Sequence, residues 1–422
     1  MQITNLHHLA VPCLVDLKGT GHSPYLGDEE FYLNPRALIR YEPGGAVISS
    51  PNLYSSFLFA DEELAACLKN SHFTGRGLPQ HLVSTLLDNG IISPQPSGDG
   101  YREMSVSVSG LPTQVLLDVT SFCPCDCITC YHKLDLDGYV PPLADVLERI
   151  SILKELGLGL FEVTGGEPFS RPDLEKILER LEEDKVLYYV VTNGEFLLNA
   201  SDRLVALLRA GLGLAISLDG IGEEHDRVRH RFGLYDKMIA GVDKLRSQGV
   251  RVYFIATLNQ ENIGLAGRMV AVAKKYGTTV HFRPTIKTGA AADNNLEGIR
   301  MTPELIELLK NPNVRNGLLS TKKIISDSRY YGCGIRKRIS VDSRGTLYPC
   351  VMDRLSPLGN ISGYTAASLV KDLEAETRRL LSVNPVCRDC QHNKLEIVCG
   401  GFCRFSKIYN TKNHESHETG KI

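Results

Sequence analysis

From about residue 112 to residue 310 the chain alternates short apolar runs with helix-period stretches, six times over. Val115 to Val119, Leu160 to Val163, Tyr188 to Val191, Leu212 to Leu218, Val252 to Leu258 and Thr279 to Arg283 read as strands. Leu143, Val146, Leu147, Ile150 and Leu153 recur at helical spacing after the first strand. Leu174, Ile177, Leu178 and Leu181 do so behind Ser170 and Pro172, which open a second helix. Further helices are expected at about 202–210, 235–248 and 264–276, closed by Gly211, Gly249 and Gly277. Six such units in a row imply a parallel sheet with helices outside it.

A sheet of this kind is either doubly wound or a partial barrel. The strand ends favour the barrel, in which functional residues gather at the C-terminal ends of the strands. A cysteine loop follows the first strand and Gly165-Gly166-Glu167 the second. Thr192-Asn193-Gly194 follows the third, and Ser217-Leu218-Asp219-Gly220 ends the fourth. All would meet at one mouth.

The cysteine loop reads Cys123-Pro-Cys-Asp-Cys-Ile-Thr-Cys130. Cys123, Cys127 and Cys130 have C-x3-C-x2-C spacing, which places three thiolates close together; Cys125 fits no such frame and reads as a bystander. A [4Fe–4S] cube normally takes four cysteines, so three leave one iron open for a small molecule. The competing reading is a structural zinc site, which needs a fourth Cys or His nearby. His132 is the nearest candidate and is poorly spaced for a closed tetrahedron.

The cysteine spacing together with Gly165-Gly166-Glu167 resembles the radical S-adenosylmethionine (SAM) enzymes, and the likeness runs over roughly residues 112–405. That resemblance implies a six-stranded (β/α)6 partial TIM barrel holding a [4Fe–4S] cluster on Cys123, Cys127 and Cys130. SAM would chelate the open iron, and its cleavage would supply a 5′-deoxyadenosyl radical able to break unactivated C–H bonds. It implies SAM contacts from Gly165, Gly166 and Glu167 to the amino group, and from Asn193 and Ser217 to the carboxylate or ribose. Arg229, in His225-Asp-Arg-Val-Arg229, would pair with the SAM carboxylate, a partner suited to a bidentate guanidinium. Each also has a plainer reading: a βα turn, a helix or turn cap, a surface ion pair. Relatives place an aromatic just before the third cysteine, where it packs on adenine; here that residue is Thr129, with Tyr131 after the cysteine.

A second cysteine group lies at Cys333, Cys350, Cys387, Cys390, Cys399 and Cys403, with Gly345 five residues before Cys350. It resembles the SPASM domain, a C-terminal module of peptide-modifying radical SAM enzymes, over residues 325–405. The resemblance implies one or two auxiliary iron–sulfur clusters, one served by Cys333, Cys350 and Cys403 and the other by Cys387, Cys390 and Cys399. The alternative is a zinc ribbon. The Cys390–Cys399 gap is longer than usual and the seventh SPASM cysteine is missing. That leaves an open iron or a non-cysteine ligand such as Asp389, His392, His414 or His417. Residues 406–422 form a polar tail. Cys13 and Cys67 stand apart and read as inert buried thiols.

Ahead of the alternating region, residues 93–111 are rich in turn formers and read as a linker. Residues 1–92 have another texture. Leu38 to Tyr41 and Ala46 to Ile48 flank the turn Glu42-Pro-Gly-Gly45, a hairpin signal. Helices are expected at Asp61 to Leu68 and at Pro79 to Leu87, the latter stopped by Asn89-Gly90. The pattern is similar to the winged-helix peptide-recognition element of maturases of ribosomally made peptides, so the hairpin is expected to offer a leader segment its strand edge.

With 43% apolar and 23% charged residues, 422 residues suit a globular protein of two or three domains. A net charge of −2 gives no general pull toward nucleic acid or acidic membranes. No apolar run approaches the ~20 residues that span a bilayer, and the start lacks a signal peptide's basic region. A cytoplasmic enzyme is expected, with cysteines serving metal or catalysis. The resemblance makes it a maturase that abstracts a hydrogen from a ribosomally synthesised precursor peptide and forms an intramolecular thioether, C–C or C–O cross-link. An electron donor such as flavodoxin or ferredoxin would feed it. The alternatives are an anaerobic sulfatase maturase, which places an aspartate where this chain has Val351 (Asp353 lies two further on), and a non-catalytic zinc-binding scaffold.

Overall fold

The structure, a computed structural model, describes residues 13–15, 27–50, 58–70, 72–76, 78–96, 102–132, 136–286, 288–296, 303–316, 338–352 and 354–383. Cys333, Cys387, Cys390, Cys399 and Cys403 lie outside them, as do Asp353, Asp389, His392, His414, His417 and the polar tail.

The N-terminal part holds β1 (Cys13–Val15), β2 (Glu30–Leu33), β3 (Leu38–Glu42), β4 (Gly45–Ser49), β5 (Leu58–Ala60), α1 (Glu62–Leu68), β6 (His72–Thr74), α2 (Gln80–Asp88), β7 (Ile92–Ser93) and β8 (Arg102–Ser105). The hairpin β3–β4 forms with Tyr41 opposite Ala46. Asp61 starts α1 by accepting the Leu64 N–H at 2.8 Å. Phe31, Ile39, Ile48, Leu64, Leu82 and Leu86 make this region's own core.

Two expectations change here. The segment 93–111 is more than a connection, because Arg102–Ser105 pairs parallel with β3. The hairpin offers no free edge: β8 covers β3, and β5 covers β4. Among the described residues the edge strands are instead β6 and β7 of the three-stranded sheet, and β1 and β8.

The alternating region gives β9 (Gln114–Asp118), α3 (Leu143–Glu155), β10 (Leu160–Thr164), α4 (Leu174–Glu183), β11 (Leu187–Thr192), α5 (Asp202–Ala210), β12 (Leu214–Ser217), α6 (Glu223–Arg229), α7 (Leu234–Ser247), β13 (Val252–Leu258), α8 (Ala266–Lys275), β14 (Val280–Pro284), α9 (Ala290–Asp293), α10 (Pro303–Leu308) and β15 (Val314–Asn316). All six expected strands appear within a few residues of their expected bounds. From β9 to β15 each strand pairs parallel with the next, in chain order. After β15 come β16 (Arg338–Val341), β17 (Thr346–Tyr348), β18 (Gly359–Asn360) and α11 (Ala366–Val383). β16 joins the other side of β9 in parallel, and β17 and β18 extend the sheet antiparallel, making ten strands.

Strand alternation divides the two faces of this sheet. Val115, Leu117, Phe161, Val163, Tyr188, Val190, Ile216 and Phe254 pack under the helices. The opposite face carries Leu160, Leu187, Tyr189, Ala215 and Ile255, and against these sit Leu38 of β3 and Met104 of β8. Arg40 ties the two regions together. Its buried guanidinium donates to the carbonyls of Pro112 (2.6 Å), Leu111 (2.9 Å) and Gly157 (3.1 Å) and pairs with Glu42 at 3.3 Å. Among the described residues no helix is long and apolar enough to cross a membrane.

Candidate active site

The loop after β9 is held by its neighbours. Val119 N–H donates to Thr164 O, Gly166 N–H to Thr120 O and Glu167 N–H to Phe122 O, at 2.9, 2.7 and 2.7 Å. This close approach explains the glycines. A Cβ on Gly165, where φ is +128°, would lie 2.2 Å from Thr120 O, and one on Gly166 would lie 2.0 Å from Phe122 O. From the far side Ile128 N–H donates to Val228 O (3.0 Å) and Ala290 N–H to Cys130 O (2.8 Å). Helices α6 and α9 therefore brace the loop.

Cys125 and Cys127 are buried against Leu234 of α7, with Cys123 and Cys130 partly buried beside them. The bystander Cys125 thus lies inside the group. Hydrogen bonding with the Cys123 and Cys127 thiols, and then burial, push its own thiol well above the usual range. The Cys127 thiol is lowered to about 7, first by its hydrogen bond with Cys125, with the charge of Arg229 contributing. Burial pushes Cys130 up to about 12.

Of the expected site residues, Asn193 and Arg229 reach the cysteines, whereas Glu167 bonds to the neighbouring loop. Asn193 donates from Nδ2 to Cys125 Sγ at 3.3 Å and Cys123 Sγ at 3.9 Å. Arg229 donates to Cys127 Sγ at 3.5 Å and pairs with Asp219 at 2.7 Å. Glu167 instead turns inward. Fully buried, its carboxylate accepts from Thr192 Oγ1 (2.8 Å), Asn193 N (2.7 Å) and Phe169 N (3.0 Å). It staples the β10 and β11 loops together, and burial raises its pKa to about 7 against the pull of these bonds. Ser217 is the last, half-buried residue of β12.

A group the sequence reading missed sits beside these loops. Asp118, the last residue of β9, accepts from Arg354 Nη2 at 2.9 Å and lies 3.6 Å from His132 Nδ1. Arg354 also reaches His132 Nδ1 at 3.2 Å, and its guanidinium lies over the Tyr348 ring. Burial holds the His132 imidazole neutral, and the Arg354 charge acts in the same direction. A signal for Asp118 existed: it is a carboxylate directly after the apolar run Val115 to Leu117. A cavity of about 270 Å³ opens here, lined among others by Asp118, His132, Gly165, Gly166 and Tyr348. Cys350 is partly buried against the main core, and Val351 is buried.

Residues 117–266 match the model of the radical SAM superfamily. The PqqA peptide cyclase of Gluconobacter oxydans is 27% identical over 171 residues, 39% of this chain and 47% of that protein. A probable GTP 3′,8-cyclase of Pyrococcus abyssi is 31% identical over 134 residues, 31% of this chain and 43% of its own length. The chain thus spans less than half the length of these curated relatives. Among solved structures, Streptococcus suis SuiB bound to its precursor peptide SuiA is similar at a TM-score of 0.65 and 15% identity, covering 90% of this chain and 97% of SuiB. Native anSMEcpe with bound AdoMet and the Cp18Cys peptide is similar at 0.53 and 20%, covering 71% and 91%.

Radical SAM domains bind SAM and a [4Fe–4S] cluster, and the residues here fit that pair. Three thiols of the expected spacing share one braced loop, and a guanidinium and an amide N–H face their sulfurs. Hydrogen bonds of that kind suit sulfur that carries negative charge.

Proposed function

We propose, from the premise that residues 117–266 are a radical SAM domain, that this chain modifies a ribosomally made precursor peptide by forming an intramolecular cross-link. The observation that carries this reading is the likeness to SuiB, which extends over 90% of the chain and so reaches well past the domain on both sides. The cluster and SAM supply, when bound, the radical chemistry that takes a hydrogen from the substrate. Cys123, Cys127 and Cys130 hold the cluster. The Gly165-Gly166 backbone, Asn193 and Ser217 line the SAM side, and Glu167 positions Asn193.

In this reading residues 112–310 curl as a partial barrel, with the cavity between Gly165, Asp118 and Tyr348 near the substrate's path. Residues 325–405 are a SPASM module, in which Cys333, Cys350 and Cys403 and then Cys387, Cys390 and Cys399 would hold auxiliary clusters able to take up an electron. Residues 1–92 are a winged-helix-like unit that captures the leader. The leader pairs with β6, which among the described residues hydrogen-bonds to β2 alone and exposes His72 and Thr74. The sulfatase-maturase alternative is less well supported, because its proton-accepting aspartate is replaced by the buried Val351.

The test is anaerobic. The reconstituted full chain, given SAM, a low-potential reductant and a candidate precursor peptide, should release 5′-deoxyadenosine. The peptide should become lighter by the two hydrogens that an oxidative cross-link removes. Iron content should reach roughly 8–12 atoms per chain, as two or three clusters require. Iron for a single cluster, or formylglycine as the product, would refute the reading.

A further inference from the structure

Arg229 is the last residue of α6, and His225 lies one turn before it on the same face. Both reach Asp219. The Asp219 N–H donates to His225 Nδ1 at 3.2 Å, and Arg229 Nη2 meets Asp219 Oδ2 at 2.7 Å. Asp219 itself is immobilised: its Oδ1 accepts the Thr257 N–H at 2.7 Å and its carbonyl accepts from Asn262 at 3.0 Å. The guanidinium is thereby aimed at the cysteine loop, where Nη1 donates to Cys127 Sγ at 3.5 Å. Both terminal nitrogens are engaged, and Nε is buried without a hydrogen-bond partner. The Asp219 and Cys127 contacts take one N–H from each terminal nitrogen, so a carboxylate bound by the fork would share the guanidinium with them.

We propose that Arg229, anchored by Asp219, is a positioning residue for Cys127 and tunes the cluster that Cys127 would hold, in place of gripping the SAM carboxylate. This rests on the radical SAM reading. Reduction adds negative charge to the cluster, so a cation donating a hydrogen bond to one of its thiolates favours the reduced form and raises its potential. Asp219 opposes that effect while holding the arginine in place.

The experiment uses the reconstituted full chain and its Arg229→Gln, Arg229→Lys and Asp219→Asn variants. Cluster midpoint potential is read by a redox titration followed by electron paramagnetic resonance, and SAM affinity by calorimetry. Arg229→Gln should move the midpoint to more negative values and Asp219→Asn to less negative values. Arg229→Lys should fall near wild type, and SAM affinity should change by less than about tenfold in each. Unchanged midpoints with SAM binding weakened more than about tenfold in Arg229→Gln would overturn the proposal and return Arg229 to the SAM carboxylate. If Arg229→Gln fails to retain the cluster, the Lys and Asn variants carry the same comparison. A wild-type chain that takes up no iron–sulfur cluster would overturn the domain reading instead, and this proposal with it.

Discussion

At the residue scale Glu167 shows how an acid near a reaction centre can be structural. Burial raises its pKa from 4.5 to about 7, so the folded protein binds its proton more tightly than the unfolded chain does. The stability linked to this group is therefore present in full below about pH 4.5 and is lost as pH rises through about 7. The stability gap between wild type and Glu167→Gln should shrink in the wild type's disfavour by on the order of 3 kcal/mol between pH 4.5 and pH 8. Paired thermal melts would check it; a gap independent of pH would show the carboxylate already ionised. Under the proposed function the cysteines make the functional counterpart. Replacing Cys123, Cys127 and Cys130 by alanine should abolish reductive SAM cleavage, measured as 5′-deoxyadenosine, and retained cleavage would remove their assignment. These three were legible because spacing alone brings them together. Asp118, His132 and Arg354 were not, since Arg354 lies 236 residues from Asp118 and only the folded sheet joins them.

The pairing of β16 with β9 is an element-scale feature with a cost attached to breaking it. Arg354 and Asp118 are both almost fully buried across that seam. Arg354→Met should take the guanidinium away from a buried carboxylate and destabilise by about 3–5 kcal/mol, and adding Asp118→Asn should recover part of the loss. Chemical denaturation of the two variants measures it, and additive effects would show the pair to be uncoupled. The sheet edge gives a second prediction. Gly75 N–H bonds Glu29 O, so by alternation the N–H groups of His72 and Thr74 face away from β2 toward the open edge. Thr74→Pro removes one such donor and should weaken precursor binding by about tenfold while SAM cleavage without peptide persists. Equal peptide affinity would move the leader elsewhere. The six core strands were legible because continuous apolar runs have no other buried use. Helix α6 was not, because seven residues with five charges show no apolar face. The role of β8 was hidden by the turn formers before it.

For the molecule as a whole, the contact between the N-terminal region and the main sheet decides what a truncation would report. Leu38 and Met104 cover Leu160, Leu187, Ala215 and Ile255, and Arg40 caps three carbonyls of the main region. Removing residues 1–95 should therefore lower the melting temperature of what remains and promote aggregation, as scattering during a thermal ramp would show. A truncated chain as stable and monodisperse as the whole would mean that this contact contributes little. Arg40→Met should reproduce part of the defect, by about 3 kcal/mol, because it removes a buried guanidinium that pairs with Glu42 and caps three carbonyls. For engineering, an N-terminal region with the proposed recognition role is then also a floor tile. A unit grafted from another enzyme would have to match not only the new leader but also the shape of the apolar surface it closes. Substrate retargeting by domain exchange would succeed only when residues equivalent to Leu38, Arg40 and Met104 travel back with the host.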